Sequence, residues 1–309
     1  MCDYNAPLLA ADFSEQVTPV RFRETWSEIC RLLQSRPQYR HDVIELIKLP
    51  ETVGAQPNPF VELDVRLNPS GAHLAHLRGT WNEYYQAKRS SATRRRDRTK
   101  RTRLGEYGEV RFVTPQNPDE AARTLETLIE QKSRSFARMG VANIFASPGH
   151  KEFFFDLATN PRMRNLVHVS RLDVGPIWAA INLGLTFHGT YYHVLASYDD
   201  GEVARFGPGA AHLRDLLSYA IERGCRCFDF TIGDEPYKFE WSDRTLKLYD
   251  HIAPATVRGW PVAALARAQR QLKRTIKQNP LLWAAFSRLR TAIRSGPLHK
   301  KTMQETPIA

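Results

Sequence analysis

The hydrophobic and polar positions over residues 191–241 alternate first, then repeat as in a helix, and then form a short apolar run. The alternation over Thr190–Ser197 predicts a strand, and the glycine- and proline-rich sequence at 205–209 predicts a turn after it. From Ala210 to Arg223, apolar residues recur every three or four positions, which predicts an amphipathic helix. The apolar run Cys225–Ile232 predicts a buried parallel strand. This stretch is therefore the centre of the predicted fold.

The same patterns predict further elements on both sides of this centre. Helices are predicted over Thr25–Leu33, from Thr80 through the arginine-rich sequence 91–103, over Pro118–Arg138 and over Pro148–Ala158. Strands are predicted over His41–Leu49, Val61–Leu67, Gly108–Val113, Leu166–Val174, Ile177–Leu185 and Leu246–Tyr249. Two basic helices, 262–277 and 280–294, are predicted after them. Hairpins followed by a parallel crossover give a mixed sheet, so the predicted class is α/β (α+β).

The positive charge of the chain is concentrated in two segments. The net charge is +11, with nine Lys and Arg against one Asp between Lys88 and Arg103, and eleven against two acidic residues from Asp250 onward. The first segment is either a solvated helix surface or a contact for an anion or a lipid headgroup; no nucleic-acid-binding module accompanies it. The helix 280–294 either packs on the body of the protein or lies on an anionic membrane surface.

Composition excludes several classes of protein. The chain has no run of about 18 apolar residues and no secretory signal pattern, so we expect a cytoplasmic protein. The four cysteines show no metal-ligand spacing and are interpreted as free thiols. No GxSxG or HExxH motif is present, which argues against a serine hydrolase and a zinc hydrolase, and no metal site is predicted.

A glycine-rich turn that opens a helix is a possible anion site. The first N–H groups of a helix have no partner within the helix and share its positive dipole end, so the turn at 205–209 suits a phosphate, although such a turn is often only a turn.

The order of a strand, the RFGPG turn, a helix and the sequence FDFTIGDEPYKFEW resembles the acetyltransferase fold of the GNAT superfamily. The branch it resembles is that of CelD-type proteins of bacterial cellulose biosynthesis and, more distantly, FemAB-type transferases. The resemblance implies tandem GNAT-like domains and transfer of an acyl group from acetyl-CoA or another acyl-CoA. It covers most of the chain up to Lys247.

The resemblance and the anion-site argument together give a set of candidate residues. The cofactor residues would be Arg205, Phe206, Gly207, Gly209, Ala210 and Arg214. The catalytic candidates are Tyr192, Asp229, Tyr237 and Lys238, and the acceptor-side candidates are Lys132, Arg134, Asp234, Glu235 and Trp241.

Several of these side chains also have structural interpretations. Asp229 lies between two phenylalanines, and apolar surroundings would raise its pKa toward a value useful for a base; alternatively it caps or pairs with Lys238. Tyr192 is either a proton-transfer group or core packing. Lys132 and Arg134 suit the end of a helix without any substrate.

The predicted domains are a partial first GNAT-like domain (1–78), a basic linking helix (79–107), a second GNAT-like acyltransferase domain (108–249) and a basic helical extension (250–309). The first domain looks shortened at its N-terminus compared with the family.

The predicted activity is an N- or O-acetyltransferase that acts on a sugar, an exopolysaccharide or a cell-envelope metabolite. Two alternatives remain: a FemAB-like transferase that uses aminoacyl-tRNA, and a non-catalytic assembly factor for polysaccharide synthesis. The last would bind the inner membrane peripherally through 280–294.

Overall fold

The computed structural model describes residues 3–279, 281, 282 and 286. Its helices are α1 (Phe13–Gln16), α2 (Pro19–Ser35), α3 (Trp81–Lys88), α4 (Ser91–Gly105), α5 (Pro118–Met139), α6 (His150–Thr159), α7 (Pro208–Glu222), α8 (Pro236–Trp241) and α9 (Gly259–Gln278). Its strands are β1 (Val43–Pro50), β2 (Thr52–Val53), β3 (Gln56–Pro57), β4 (Val65–Leu67), β5 (Ala72–His76), β6 (Val110–Val113), β7 (Val167–Val174), β8 (Ile177–Phe187), β9 (Thr190–Tyr198), β10 (Cys227–Ile232), β11 (Arg244–Leu246) and β12 (Leu248–Pro254).

The described residues form two compact units. The first unit combines the chain up to His73 with 232–239 and the segment from Arg244 onward, and the second unit contains 74–231 with 240–243. The predicted boundaries between the domains stay predictions.

The second unit is built on a mixed sheet with the strand order β5-β10-β9-β8-β7-β6. Strands β6 to β9 pair antiparallel, and β10 pairs with β9 in parallel. On one face, Leu125 and Leu128 of α5 pack with Ile181 and Leu183 of β8. On the other face, Leu104 of α4 packs with residues of β7, β8 and α7. The sheet is thus covered on both faces, as a parallel crossover requires.

One extra residue bends the central strand β9. Leu183 pairs with Leu195, whereas the next residue of β8, Gly184, pairs with His193, so Val194 has no partner of its own on β8. A bulge of this kind turns a strand and changes which face its later side chains occupy. Accordingly Tyr191 stacks on Phe228, whereas Leu195 joins the core around α5.

The first unit contains the antiparallel sheet β1-β12-β4, and α9 packs against β12. Asp250 of β12 is buried and accepts hydrogen bonds from Asn68 (2.7 Å) and from Arg270 of α9 (3.2 Å). Arg267 of α9 faces Asp64 at 3.8 Å. The cations on the inner side of α9 therefore bind this helix to its own unit.

Most predicted elements are confirmed, with several differences. The short elements α1, β2 and β3 were not predicted, and the strand predicted at 246–249 is two strands, β11 and the longer β12. The first helix begins at Pro19 with Thr18 as its N-cap, because the Thr18 side chain accepts from Arg21 N–H and Pro19 fits the first helical position. The helix predicted from Thr80 is two helices, since Ser90 caps a new one. Val61–Leu67 is strand only from Val65, and β5 and α8 were not predicted. The predicted helix 280–294 lies almost wholly outside the described residues.

Candidate functional site

The two central strands of the second unit pair over only part of their length. The parallel ladder between β9 and β10 consists of Thr190 with Cys227, Tyr191 with Phe228 and Tyr192 with Asp229. β9 continues from there through the bulge at Val194 to Tyr198. Just past this ladder the Thr231 hydroxyl donates to the His193 carbonyl at 3.4 Å, so the end of β10 lies beside His193 of β9.

The helix that follows β9 begins at the far end of that strand. Gly207 is the N-cap of α7 and has a φ of +67°, a conformation that favours glycine. A glycine has no side chain with which to cap the first-turn N–H groups, and Pro208 occupies the first helical position. A Cβ atom added to Gly209 would lie 3.4 Å from the Tyr198 ring, so the first turn of α7 lies against the end of β9. Backbone N–H groups at a helix start of this kind suit a phosphate group.

A lysine of the arginine-rich helix reaches the same place. A Cβ atom added to Gly207 would lie 3.7 Å from Nζ of Lys100 in α4. In the part of the chain that the structure describes, Lys100 forms no ion pair with a carboxylate. The sequence showed Lys100 only as one charge of a basic run, because the contact between α4 and the turn before α7 leaves no local signal.

The other side chains predicted for the cofactor have protein partners. Arg205 is exposed, stacks over the Phe206 ring at 4.9 Å and donates to the Tyr107 hydroxyl. Arg214 is buried on α7 and pairs with Asp97 of α4 at 3.3 Å. Gly207, Gly209 and Ala210 supply backbone only. Arg214 therefore helps to hold α4 against α7.

Tyr192 and Asp229 are neighbours at the last pair of the ladder. Asp229 is buried, and its Oδ1 accepts a hydrogen bond of 2.7 Å from the backbone N–H of Thr231, whose φ is +59°. Tyr192 is half-buried, and its pKa is raised by burial and by the nearby Asp229 charge. Both predicted catalytic groups of this unit thus lie at the last register pair of the parallel ladder.

The predicted acceptor-side cations of α5 reach the last third of β9 and the residues after it. Nζ of Lys132 donates to the Ala196 carbonyl at 3.0 Å. Arg134 faces Asp199 at 3.6 Å and Asp200 at 3.3 Å. These contacts brace the end of β9 against α5, and any substrate role of the two cations stays a prediction.

The predicted residues after β10 fall mostly in the first unit. Burial opposes ionisation of Asp234, but hydrogen bonds from His73 and Ser70 and the charge of Lys277 lower its pKa to about 2. Nζ of Lys238 is buried, donates to the Ile232 carbonyl at 2.8 Å and faces Glu235 at 3.1 Å. Burial raises the pKa of Tyr237, with a smaller contribution from Glu235. The roles predicted for these four residues in catalysis and acceptor binding stay predictions.

Trp241 belongs to an aromatic cluster of the second unit. Its buried ring lies 6.2 Å from Tyr84 and Tyr85 and 6.4 Å from Trp81, and Arg89 lies over it at 4.9 Å. The ring therefore packs on α3, and its predicted role toward an acceptor stays a prediction.

A buried polar cluster beneath β9 was not predicted. His168 Nδ1 lies 2.9 Å from the Tyr191 hydroxyl, and Asn182 donates to that hydroxyl at 2.7 Å. Burial and the charge of Arg223 lower the pKa of His168 to about 3. Burial, with His193 and His168 nearby, holds the pKa of His212 well below its usual value. These histidines are neutral at pH 7 and stabilise the centre of the sheet as hydrogen-bonding groups.

The described residues contain no group of three or more His, Cys, Asp or Glu that could hold a metal ion. None of the helices among them combines the length and the hydropathy needed to cross a membrane.

Three solved structures with a similar course of the chain are distant in sequence. The C-terminal DUF2156 domain of a protein from Agrobacterium fabrum assigned as a lysylphosphatidylglycerol synthetase has a TM-score of 0.52 at 9% identity, over 88% of this chain and 80% of that one. FemX has a TM-score of 0.48 at 10% identity, over 81% and 80%. A tandem GNAT protein from the clavulanic acid biosynthesis pathway has 0.41 at 12%, over 76% and 70%. At 9% identity, the likeness to the first of these concerns the fold alone.

A comparison with curated protein sequences found no match. The family model described as an acetyltransferase (GNAT) domain matches residues 91–239, just under half of the chain. The matched residues include α4, the bulged β9, α7 and β10. Residues 91–239 therefore match the model of a GNAT-type acetyltransferase domain.

Proposed function

We propose that this protein transfers an acyl group from acyl-CoA, with acetyl-CoA as the first candidate, to an amine or a hydroxyl group. The acceptor would be a sugar, an exopolysaccharide unit or another cell-envelope metabolite, as in the CelD-type proteins that the sequence resembles. Acyl-CoA would supply the activated thioester carbonyl and a thiolate leaving group.

The observation that carries the proposal is the position of the α7 N-terminus relative to the end of the β9–β10 ladder. Tyr198 ends β9 beside Gly209, so a ligand with its diphosphate on the first turn of α7 could extend along β9 toward Tyr192 and Asp229. Tyr192 and Asp229 lie about six residues back along the strand, roughly 20 Å from this turn at 3.3 Å per residue. That span suits a long, narrow donor with an anionic end.

The residues of the second unit then have distinct tasks. The N–H groups of Gly209 and Ala210 and the ammonium group of Lys100 would bind the diphosphate. The backbone of β9 beyond Tyr192 would hold the amide-bearing arm of the donor. Asp229 would take the proton from the acceptor, and Tyr192 would donate one to the leaving thiolate.

An acceptor screen tests the reaction. Acetyl-CoA is incubated with a panel of amino sugars, amino acids and hydroxyl acceptors, and the release of the CoA thiol is measured. With the best acceptor, Asp229→Asn should lower kcat about 100-fold or more while leaving the affinity for CoA unchanged. Transfer by Asp229→Asn at the parent rate would contradict the assigned base.

One observation favours the alternative of an aminoacyl-tRNA donor. Arg95, Arg96, Arg98 and Lys100 of α4 are exposed and form no ion pair with a carboxylate among the described residues, and Lys100 reaches the α7 turn. A cationic helix beside a phosphate cradle also suits a polynucleotide. This alternative predicts binding of charged tRNA that weakens steeply between about 50 and 200 mM salt. Micromolar binding of acetyl-CoA without tRNA binding would decide against it.

A peripheral membrane contact is a separate proposal. Beside the predicted contact through 280–294, α9 exposes the large apolar side chains of Trp260, Val262, Leu265 and Leu272, and no acidic residue occurs between His251 and Gln304. The full chain should co-float with vesicles that contain an anionic phospholipid and stay behind with neutral vesicles. Trp260→Ser with Leu265→Ser should reduce the anionic binding, and equal flotation of the variant would contradict the contact through α9.

A further inference from the structure

A basic cavity lies at the end of β9 opposite the α7 turn. It has a volume of about 440 Å³, which is in the range of small-molecule sites. Three segments of the second unit line it: the end of β5, the β8–β9 hairpin and the start of β10. The side chains that matter are those of His76, Arg78, His188, Thr190, Arg226 and Cys227.

Backbone hydrogen bonds fix these three segments to one another. Leu77 N–H donates to the Arg226 carbonyl at 2.9 Å, and Arg226 N–H donates to the Gly189 carbonyl at 2.7 Å. Gly189 has a φ of +73°, so the hairpin turns tightly here. The lining side chains therefore project from a rigid frame, which lowers the entropic cost of binding a ligand.

The lining carries cationic groups and no carboxylate. Two guanidinium groups, Arg78 and Arg226, and two imidazoles, His76 and His188, contribute to it. Neither arginine forms an ion pair within the described residues, whereas Arg101 and Arg171 of the same unit do. Asp243, which accepts the backbone N–H of His76 at 2.7 Å, is already paired with Lys88.

The cavity is too far from the α7 turn to serve the same anion. Thr190 lines the cavity, Tyr198 abuts Gly209, and eight residues of strand separate them. At about 3.3 Å per residue this is roughly 26 Å. A diphosphate bound at α7 therefore leaves the cavity open to another ligand.

We propose that this cavity is a binding site for a second, small phosphate-bearing ligand with at least two negative charges. A guanidinium group offers paired N–H donors that match two oxygens of a phosphate, and the cavity presents two such groups together with two imidazole donors. The site does not depend on acyl transfer, because none of its residues takes part in the proposed reaction.

Inorganic pyrophosphate is the probe for a calorimetric test. The full chain with Gly209→Glu, in which a carboxylate repels anions from the α7 turn, should still bind pyrophosphate. Adding Arg78→Gln with Arg226→Gln should weaken this binding about tenfold or more, since each guanidinium group contributes charge-assisted hydrogen bonds. Arg162→Gln with Arg164→Gln removes the same charge from exposed positions elsewhere in the unit and should leave the affinity unchanged.

Cys227 gives a second readout that does not depend on a variant. Its thiol lines the cavity, with Sγ 3.7 Å from Nδ1 of His76. Pyrophosphate should slow the alkylation of Cys227 by iodoacetamide and leave that of Cys30 unchanged, as followed by peptide mass spectrometry. Equal alkylation rates with and without pyrophosphate, or equal affinity in the Arg78 and Arg226 double variant, would overturn the proposal.

Discussion

Lys100 connects two features that are separate in the sequence, the arginine-rich helix α4 and the glycine turn before α7. Its ammonium group lies near Gly207, at the positive end of a helix whose first-turn N–H groups have no side-chain cap. Two positive features that face each other repel, so an anion between them is stabilised by both. We therefore expect Lys100, one cation of a long basic run, to contact an anion bound at this turn.

Removal of this cation should weaken the binding of CoA. Lys100→Met keeps the length of the side chain and loses the charge, so the dissociation constant of CoA should rise about tenfold, the value of one charge-assisted hydrogen bond. Arg98→Met is the control, because two residues along a helix point to nearly opposite sides. Equal effects of both substitutions in calorimetric titrations would show a diffuse charge effect and contradict a role specific to Lys100.

The buried histidines make stability depend on pH. The unfolded chain takes up a proton on each histidine near pH 6.5, whereas folded His168 does so only near pH 3. As far as these histidines contribute, the free energy of unfolding is therefore highest above about pH 6.5, and it falls as the pH drops toward 3. Between pH 6.5 and 5, His168 should cost about 2 kcal/mol in the free energy of unfolding, and His212, whose pKa burial also lowers, acts in the same direction.

Urea unfolding at several pH values checks this expectation through the slope of stability against pH. His168→Gln should reduce the slope of stability against pH by the equivalent of about one proton, however much stability the substitution itself removes at pH 7. His188→Asn, which replaces an exposed histidine at a positive φ that asparagine tolerates, is the control for the loss of a histidine elsewhere in the unit. An unaltered slope in His168→Gln would show that His168 is not held neutral by burial.

At the scale of elements, α4 is positioned by one buried carboxylate. Asp97 lies 3.3 Å from Arg214 of α7 and accepts a hydrogen bond of 2.8 Å from the Tyr85 hydroxyl. The bidentate pair of Arg101 with Asp215 adds a second tie between the same helices. These contacts decide where Lys100 lies relative to α7.

Asp97→Ala should therefore affect both stability and binding. It leaves Arg214 buried without its partner, which should cost about 3–5 kcal/mol in the free energy of unfolding. Because α4 loses a tie to α7, the affinity for CoA should fall as well. Glu106→Ala removes an exposed partner of Arg103 on the same helix and should change stability by about 0.5 kcal/mol or less. Similar losses in both variants on chemical denaturation would contradict the role of Asp97.

The elements that the sequence predicted well are those with long periodic patterns. α5, α7 and β7 to β9 all follow from spacing, because each buries a continuous apolar face. β5 (Ala72–His76) was missed, since a strand of alanine, histidine and leucine has no β-branched or aromatic signal. The break between α3 and α4 was missed because helix formers on both sides hide the cap at Ser90.

For the site, sequence alone indicated the turn and the candidate residues but not the relations between them. The resemblance pointed to the glycine turn and to Asp229 and Tyr192. The structure places Asp229 and Tyr192 opposite each other at the end of the ladder. The resemblance gave no sign of Lys100 at the turn or of the bulge at Val194, because both depend on packing between distant segments. The cavity lined by Arg78 and Arg226 is formed by three segments more than 30 residues apart and leaves no local motif.

At the scale of the whole molecule, the chain is organised by pairings between distant residues. β1 pairs with β12, so that Val43 lies opposite Pro254 and Leu46 opposite His251. Such contacts leave no trace in the local periodicity of the sequence. The strong positive charge is also partly internal, since Arg267 and Arg270 of the C-terminal basic segment face carboxylates of their own unit.

The central claim is that the first turn of α7 binds the diphosphate of an acyl-CoA, and calorimetric titration of acetyl-CoA and CoA tests it most directly. Gly209 has no positive φ and its added Cβ atom would meet only ordinary contacts, so Gly209→Gln and Gly209→Glu should both fold and differ only in charge. The account predicts micromolar binding by the parent, a small loss in Gly209→Gln and a loss of about 100-fold in Gly209→Glu. No binding by the parent, or equal binding by the two variants, would contradict it.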